Sequence, residues 1–272
     1  MRILFLVICA FSYPFFSFSQ KGLELTINNS INFSFILNQN DQQEASILSR
    51  TSIGNTSLVT VGHNFSKTLG IATGLGFTYL QQNYVQTTTA KQLKILQETS
   101  FRALTYIRLP LLFRISSSPN APVQFFMRLG PHLDALITAR GRTKYPFNSG
   151  RSDKKIDYRN QYGSTEQPLN IFNSFVFGVS IDLGVKIQLS ELFDLLILAH
   201  FESSLTNLEG ESAPQYFPAD FRAVTPNNYI LVRHHTHGLM VGLNIGLTYR
   251  LQSDSMFYQP RSRYRSRYWR AQ

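Results

Sequence analysis

SFVFGVSIDLGVKIQLS, residues 174 to 190, has two faces. Phe175, Phe177, Val179, Ile181, Leu183, Val185, Ile187 and Leu189 are apolar, whereas Ser174, Gly178, Ser180, Asp182, Gly184, Lys186 and Gln188 are small or polar. Side chains alternate across a strand with period two, so this spacing predicts one long β-strand with charge along one side. Which side meets solvent is decided by the rest of the chain.

The pattern recurs. In Gly22 to Asn38 the apolar positions are Leu23, Leu25, Ile27, Ile31, Phe33, Phe35 and Leu37, and Glu24, Thr26, Asn28, Ser30, Asn32, Ser34 and Asn38 are polar. Further strands are predicted over Ser57 to Ser66, Gly70 to Tyr84, Ser100 to Ile115, Pro122 to Thr138, Leu192 to Leu205 and Thr236 to Leu251, eight in all. The connections alternate without exception: 39–56, 85–99, 139–173 and 206–235 are long, and 67–69, 116–121 and 189–191 are short.

Composition supports a folded β-protein. Of 272 residues, 43% are hydrophobic and 15% charged, which excludes a disordered chain, and 22 Phe with 13 Tyr favour strands over a helical bundle. Beyond the N-terminus no stretch approaches the ~18 apolar residues of a spanning helix. A soluble sandwich also has alternating strands, but its outward faces are polar and its connections have no reason to alternate in length. In an outer-membrane barrel the apolar face meets lipid, periplasmic turns are short and external loops long. Without water in the bilayer no sheet edge can stay open, so the sheet closes. The expected fold is all-β: an eight-stranded antiparallel transmembrane barrel with both termini in the periplasm.

Met1 and Arg2, the apolar run Ile3 to Phe16, and Ser17-Phe18-Ser19 before Gln20 have the form of a cleaved secretory signal. The expected organisation is a signal peptide at 1–19, the barrel at 20–251 and a basic tail at 252–272. Cys9, the only cysteine, falls in the signal, so no disulfide or thiolate metal site is expected in the mature chain.

An eight-stranded barrel is only wide enough inside for packed side chains. Carrying the parity along each strand points Arg102, Arg108, Arg114, Arg128, Lys186 and Arg250 inward together with Glu24, Asp134, Asp182, Asp194 and Glu202. Buried charges must pair, so a lumen charge network is expected, in a polar plug rather than an aqueous channel. If the hairpin turns about Ser190, Lys186 stands opposite Asp194. Pro110 has no N–H for a ladder and predicts a bulge or bend there.

Asn244, Gly246, Tyr249 and Leu251 resemble the C-terminal signal read by the machinery that inserts outer-membrane barrels. Over residues 22 to 251 the chain is also similar to the PorT-like outer-membrane barrel family. The segments that carry this are Thr105-Tyr106-Ile107-Arg108-Leu109-Pro110-Leu111-Leu112, Leu129-Gly130-Pro131, Ser180-Ile181-Asp182-Leu183-Gly184-Val185 and Ser204-Leu205-Thr206-Asn207. The resemblance implies the barrel fold far more than any activity, and Arg108 and Leu109 stand where the family carries an acidic residue before Pro110.

Function is sought in the loops and tail, where rigid scaffolds carry it. The loop 139–173 holds Arg140, Arg142, Lys144, Lys154 and Lys155, a candidate anion-binding site for lipopolysaccharide; a solvated basic loop is the alternative. His234, His235 and His237 lack a carboxylate at ligand spacing, and neither metal nor cofactor is expected. His200, Glu202, Ser203 and Ser204 raise the question of a lipid A-modifying enzyme, but strand alternation turns Ser203 away from His200, so none is expected. The tail carries Arg263, Tyr264, Arg265, Arg267, Tyr268 and Trp269, a candidate contact with a periplasmic or secretion-system protein rather than nucleic acid, which a secreted chain does not normally meet. The expected role is structural or interaction-based in the envelope, with an accessory role in a secretion or gliding apparatus as the alternative.

Overall fold

The computed structural model describes residues 22–38, 47–66, 68–89, 95–117, 121–144, 153–158, 171–211 and 235–251. The expected signal at 1–19, the tail at 252–272 and His234 lie outside them.

Ten strands are described: β1 (Leu23–Asn38), β2 (Ile47–Arg50), β3 (Ser52–Asn64), β4 (Leu69–Thr89), β5 (Ile95–Ser116), β6 (Val123–Lys144), β7 (Lys154–Asp157), β8 (Phe175–Gln188), β9 (Phe193–Ser204) and β10 (Thr236–Arg250). Eight of them form an antiparallel ring in the order β1-β3-β4-β5-β6-β8-β9-β10, closed where β10 pairs with β1. The short strands β2 and β7 pair with β4 and β6 outside the ring.

The faces are inverted relative to a soluble protein. Along β1, Glu24, Thr26, Asn28, Ser30, Asn32 and Ser34 are buried, while Ile27, Ile31 and Phe33 are at least 60% exposed. Asp182 and Lys186 of the opening stretch point into the lumen, and Phe175, Phe177 and Leu183 point out. The apolar stripe covers the outside of the barrel, as a hydrocarbon surround requires.

The tight hairpins and the two ends of the barrel lie together. Ser190 Oγ accepts from Leu192 N (3.3 Å) and Phe193 N (3.1 Å), closing the β8–β9 turn. Leu251 N donates to Leu23 O at 3.0 Å, joining the last strand to the first. Gly22, at φ 90°, offers its carbonyl to Asn64 N at 3.0 Å; a Cβ there would lie 2.8 Å from Asn64 O, so only glycine fits without strain.

Several local expectations are corrected. The β8–β9 hairpin turns about Glu191, so Gln188 faces Asp194 and Lys186 faces Leu196. At Pro110 the register is unchanged; the shift falls between Thr105 and Tyr106, where Thr138 and Leu136 are the partners and Ile137 is the extra residue. Pro110 instead borders a gap in the β5–β6 ladder, because Pro131 on the facing strand also lacks an N–H. The long strands also run past their expected ends. β4, β5 and β6 have 21, 22 and 22 residues, against the ~9–11 that a tilted strand needs to cross a bilayer. Beyond the ring they form, with β2 and β7, a five-stranded sheet ordered β2-β4-β5-β6-β7.

Candidate functional site

The lumen is filled in layers, starting at the tight-turn end. Glu24 pairs with Arg114, accepts from Lys186 Nζ at 3.1 Å and from Asn64 Nδ2 at 2.8 Å. Lys186 Nζ also lies 3.1 Å from Asp194 Oδ2, so this ion pair forms diagonally, although the two residues are not register partners. Arg250 completes the layer on Asp194, through Nε to Oδ2 at 2.9 Å and a second contact from Nη2 to Oδ1. Phe126 lies beside this layer, with Arg114 and Lys186 over its ring at 5.4 and 5.8 Å.

The middle layer is a chain of alternating charge. Arg128 Nε donates to Asp182 Oδ2 (3.1 Å), Asp182 Oδ1 lies 2.8 Å from His200 Nδ1, and His200 Nε2 lies 3.0 Å from Glu202 Oε2. Arg108 joins Glu202 to Asp134, which also lies 3.5 Å from His132 Nε2. Each of these residues is under 10% exposed. Burying a charge is costly unless it is paired and hydrogen-bonded, and the four neighbouring strands β5, β6, β8 and β9 supply the partners here.

Arg102 does not belong to this network. It lies six residues above Arg108 on β5, roughly 20 Å along the strand, and Leu104 and Tyr106 intervene on the lumen face. Its guanidinium stacks over Tyr84, 4.5 Å from the ring centre, beside Tyr158. The network thus has five cations, Arg108, Arg114, Arg128, Lys186 and Arg250, and five carboxylates, Glu24, Asp134, Asp182, Asp194 and Glu202.

The polar plug also stops short of the loop end. Ile36, Leu80, Leu104, Tyr106, Val176 and Met240 from the strands pack with Tyr158, Ile171, Phe172 and Leu208 from the connections into a buried apolar cap. Tyr158 and Phe172 meet edge to face, with ring centres 5.3 Å apart. Strand parity does not carry this cap, because four of these ten residues come from connections with no period, whereas His132 shares the inward parity of Arg128 and Asp134 on β6.

The basic residues assigned to a loop are on strands. Arg140, Arg142 and Lys144 are exposed on the extension of β6, and Lys154 and Lys155 on β7, where Lys155 faces Arg142 and Lys154 faces Thr143. Arg142 Nη2 donates to Asp153 Oδ2 at 2.8 Å in an exposed pair. Below the bulge at Ile137, the same outer face of β6 carries Val123, Phe125 and Leu133, so the change from apolar to basic falls at the bulge.

His200 has a carboxylate at each ring nitrogen, whereas Ser203 Oγ donates to Ser204 O and Ser204 Oγ accepts from Gly238 N. Among the described residues His200 is bonded to neither serine hydroxyl, and His237 Nδ1 lies 3.1 Å from the Ser204 carbonyl oxygen. Thr236 points inward between His235 and His237, whose ring centres are 6.4 Å apart. Among the described residues no group of three or more His, Cys, Asp or Glu side chains is arranged to hold a metal ion.

A family model described as outer membrane protein beta-barrel domain matches residues 18–210. No curated protein sequence matches the chain. Among solved structures, Neisserial surface protein A is similar at 9% identity and a TM-score of 0.37, covering 85% of this chain and 97% of its own. Ail, the attachment invasion locus protein of Yersinia pestis, is similar at 10% identity and 0.34, covering 84% and 99%. OprG from Pseudomonas aeruginosa is similar at 13% identity and 0.31, covering 84% and 96%.

Proposed function

Because this integral outer-membrane chain belongs to the outer membrane protein β-barrel domain family, we propose that it acts as a structural and interaction protein of the envelope, with a filled lumen and no open pore. The contrast between its two charged regions carries this reading. Lumen charges are buried and satisfy one another, whereas Arg140, Arg142, Lys144, Lys154 and Lys155 are exposed beyond the apolar band. With the tight turns toward the periplasm, as in barrels of this kind, that basic face stands among lipopolysaccharide phosphates and sugar acids. Cations on a rigid sheet suit such anions, because little side-chain positioning remains to be done on binding. His200, held between two carboxylates, favours a positioning role over catalysis.

Two measurements test this. Reconstituted in a planar bilayer, the protein should add no stepwise conductance; porin-like steps would overturn the filled lumen. Replacing Arg140, Lys144, Lys154 and Lys155 by Gln should weaken binding to lipopolysaccharide-containing vesicles but leave binding to neutral vesicles unchanged; equal loss on both would overturn the anion role.

A second reading, an accessory part of a secretion or gliding apparatus, is favoured by the PorT-like segments and by Arg263, Tyr264, Arg265, Arg267, Tyr268 and Trp269 in the tail. Photo-crosslinking from Tyr264 or Trp269 in intact cells tests it: a periplasmic protein adduct is expected, and crosslinks to lipid alone would sink it.

A further inference from the structure

The lipid-facing side of the barrel is largely apolar, and on the β1–β3 wall three polar side chains gather in the middle of it. Asn29 on β1 and Asn55 and Ser57 on β3 point outward, halfway along their strands. Asn29 Nδ2 donates to Ser57 Oγ (2.8 Å), Ser57 Oγ to Asn55 Oδ1 (3.1 Å), and Asn55 Nδ2 to Asn29 Oδ1 (2.7 Å). The three side chains close a ring of hydrogen bonds on the outer wall. The second Asn55 hydrogen goes to Ser30 O at 2.9 Å.

The surroundings are hydrocarbon. Ile27 and Ile31 flank Asn29 on its own strand, Ile245 faces it from β10, and Phe77 faces Ser57 from β4. Of the six large apolar residues at least 60% exposed among the described residues, Ile27, Ile31, Phe33 and Ile53 lie on this wall and Leu75 on the adjoining strand. These side chains stand away from their neighbours, so a second flat wall can bury them.

In acyl chains an amide finds no partner for groups left over from its own bonds. The ring spends one Asn29 N–H and one lone pair on each amide oxygen. It leaves the second Nδ2 hydrogen of the exposed Asn29 and the other lone pairs unused within the ring. Donor and acceptor thus remain side by side, a set complementary to itself under a two-fold axis. Such an axis normal to the membrane keeps both copies in the same orientation, and polar side chains joining spanning segments are an established means of association in lipid.

We propose that the β1–β3 wall is a homodimer interface in the membrane plane, in which the Asn29–Asn55–Ser57 ring of one copy hydrogen-bonds that of a second copy within an apolar rim of Ile31, Phe33 and Ile53. This goes beyond the envelope role above and does not depend on the basic face.

Cysteine crosslinking of the full chain in native membranes tests it, in a Cys9→Ser background with copper phenanthroline. Ile31→Cys, beside the ring, should give a disulfide dimer at least about tenfold above Phe125→Cys, which lies on β6 diametrically across the barrel. Adding Asn29→Leu, Asn55→Leu and Ser57→Ala should cut the Ile31→Cys dimer by about tenfold, with faster migration of the unheated band reporting an intact barrel. If the triple variant does not fold, Asn29→Leu alone carries the test. Equal crosslinking from the two walls, an unchanged dimer yield in a folded variant, or adducts only with another protein would each overturn self-association.

Discussion

Arg108 clasps Asp134 through two hydrogen bonds, Nε to Oδ1 at 2.8 Å and Nη2 to Oδ2 at 2.7 Å, between facing positions of neighbouring strands. The same guanidinium crosses the lumen to Glu202 on β9. Arg108→Met therefore leaves two buried carboxylates without their cation and should cost about 3–5 kcal/mol. The urea midpoint for loss of the compact, unheated gel band measures this. Combining Arg108→Met with Asp134→Asn and Glu202→Gln should recover a large part of the loss, since the uncompensated charges go as well; no recovery would mean that packing, not charge, dominates there.

At the tight-turn end, three cations meet two carboxylates, and Glu24 holds two of the cations. Glu24→Gln should destabilise by about 3–5 kcal/mol, whereas Lys186→Met, which leaves Glu24 with Arg114 and Asp194 with Arg250, should cost about 1–2 kcal/mol. Urea titration of both variants gives the ordering directly, and a larger loss for Lys186→Met would contradict the pairing.

On the sheet that extends beyond the ring, the Asp153 carboxylate occupies Arg142. Asp153→Asn should release that guanidinium and strengthen binding to anionic vesicles by about 1 kcal/mol at low salt, and the gain should fade as ionic strength rises. Vesicle co-flotation at two salt concentrations reads both effects.

The apolar cap joins the loop segments to the barrel, and the edge-to-face pair of Tyr158 and Phe172 lies in it. Phe172→Ala should loosen these segments without unfolding the ring, because local openings draw on local contacts. Trypsin should then cut near Lys154 and Lys155 at least about tenfold faster while the heat-modifiable band persists, the factor equal to about 1.4 kcal/mol of lost local stability. Unchanged cleavage would show that the cap does not restrain β7.

The barrel was legible in the chain because lipid and lumen impose a strict period of two on every crossing strand, and alternating connection lengths separate one rim from the other. The inward placement of Glu24, Asp182 and Glu202 followed from parity. What parity does not carry is register: a turn centred on Glu191 rather than Ser190 moves Asp194 from Lys186 to Gln188, and only the reach of the lysine preserves the pair. Nor does it carry height, which separates Arg102 from Arg108 although both point inward. The Asn29–Asn55–Ser57 ring left a trace as polar residues on an otherwise apolar face, but its meaning lies in the pairing of β1 with β3, which no single strand reveals. Extension of β6 to Lys144 is likewise set by pairing with β5 and β7, not by composition.

The even count of lumen charges has an electrical consequence. The five lysine and arginine cations and the five carboxylates of the network cancel one another, so the chain's formal net charge of +10, which counts no histidine, resides outside those ten groups. A potential across the outer membrane does work on a protein only through the charges it can displace. Those ten groups together therefore offer a potential little net charge to act on, and a Donnan potential between periplasm and exterior works chiefly on the charges that lie outside them.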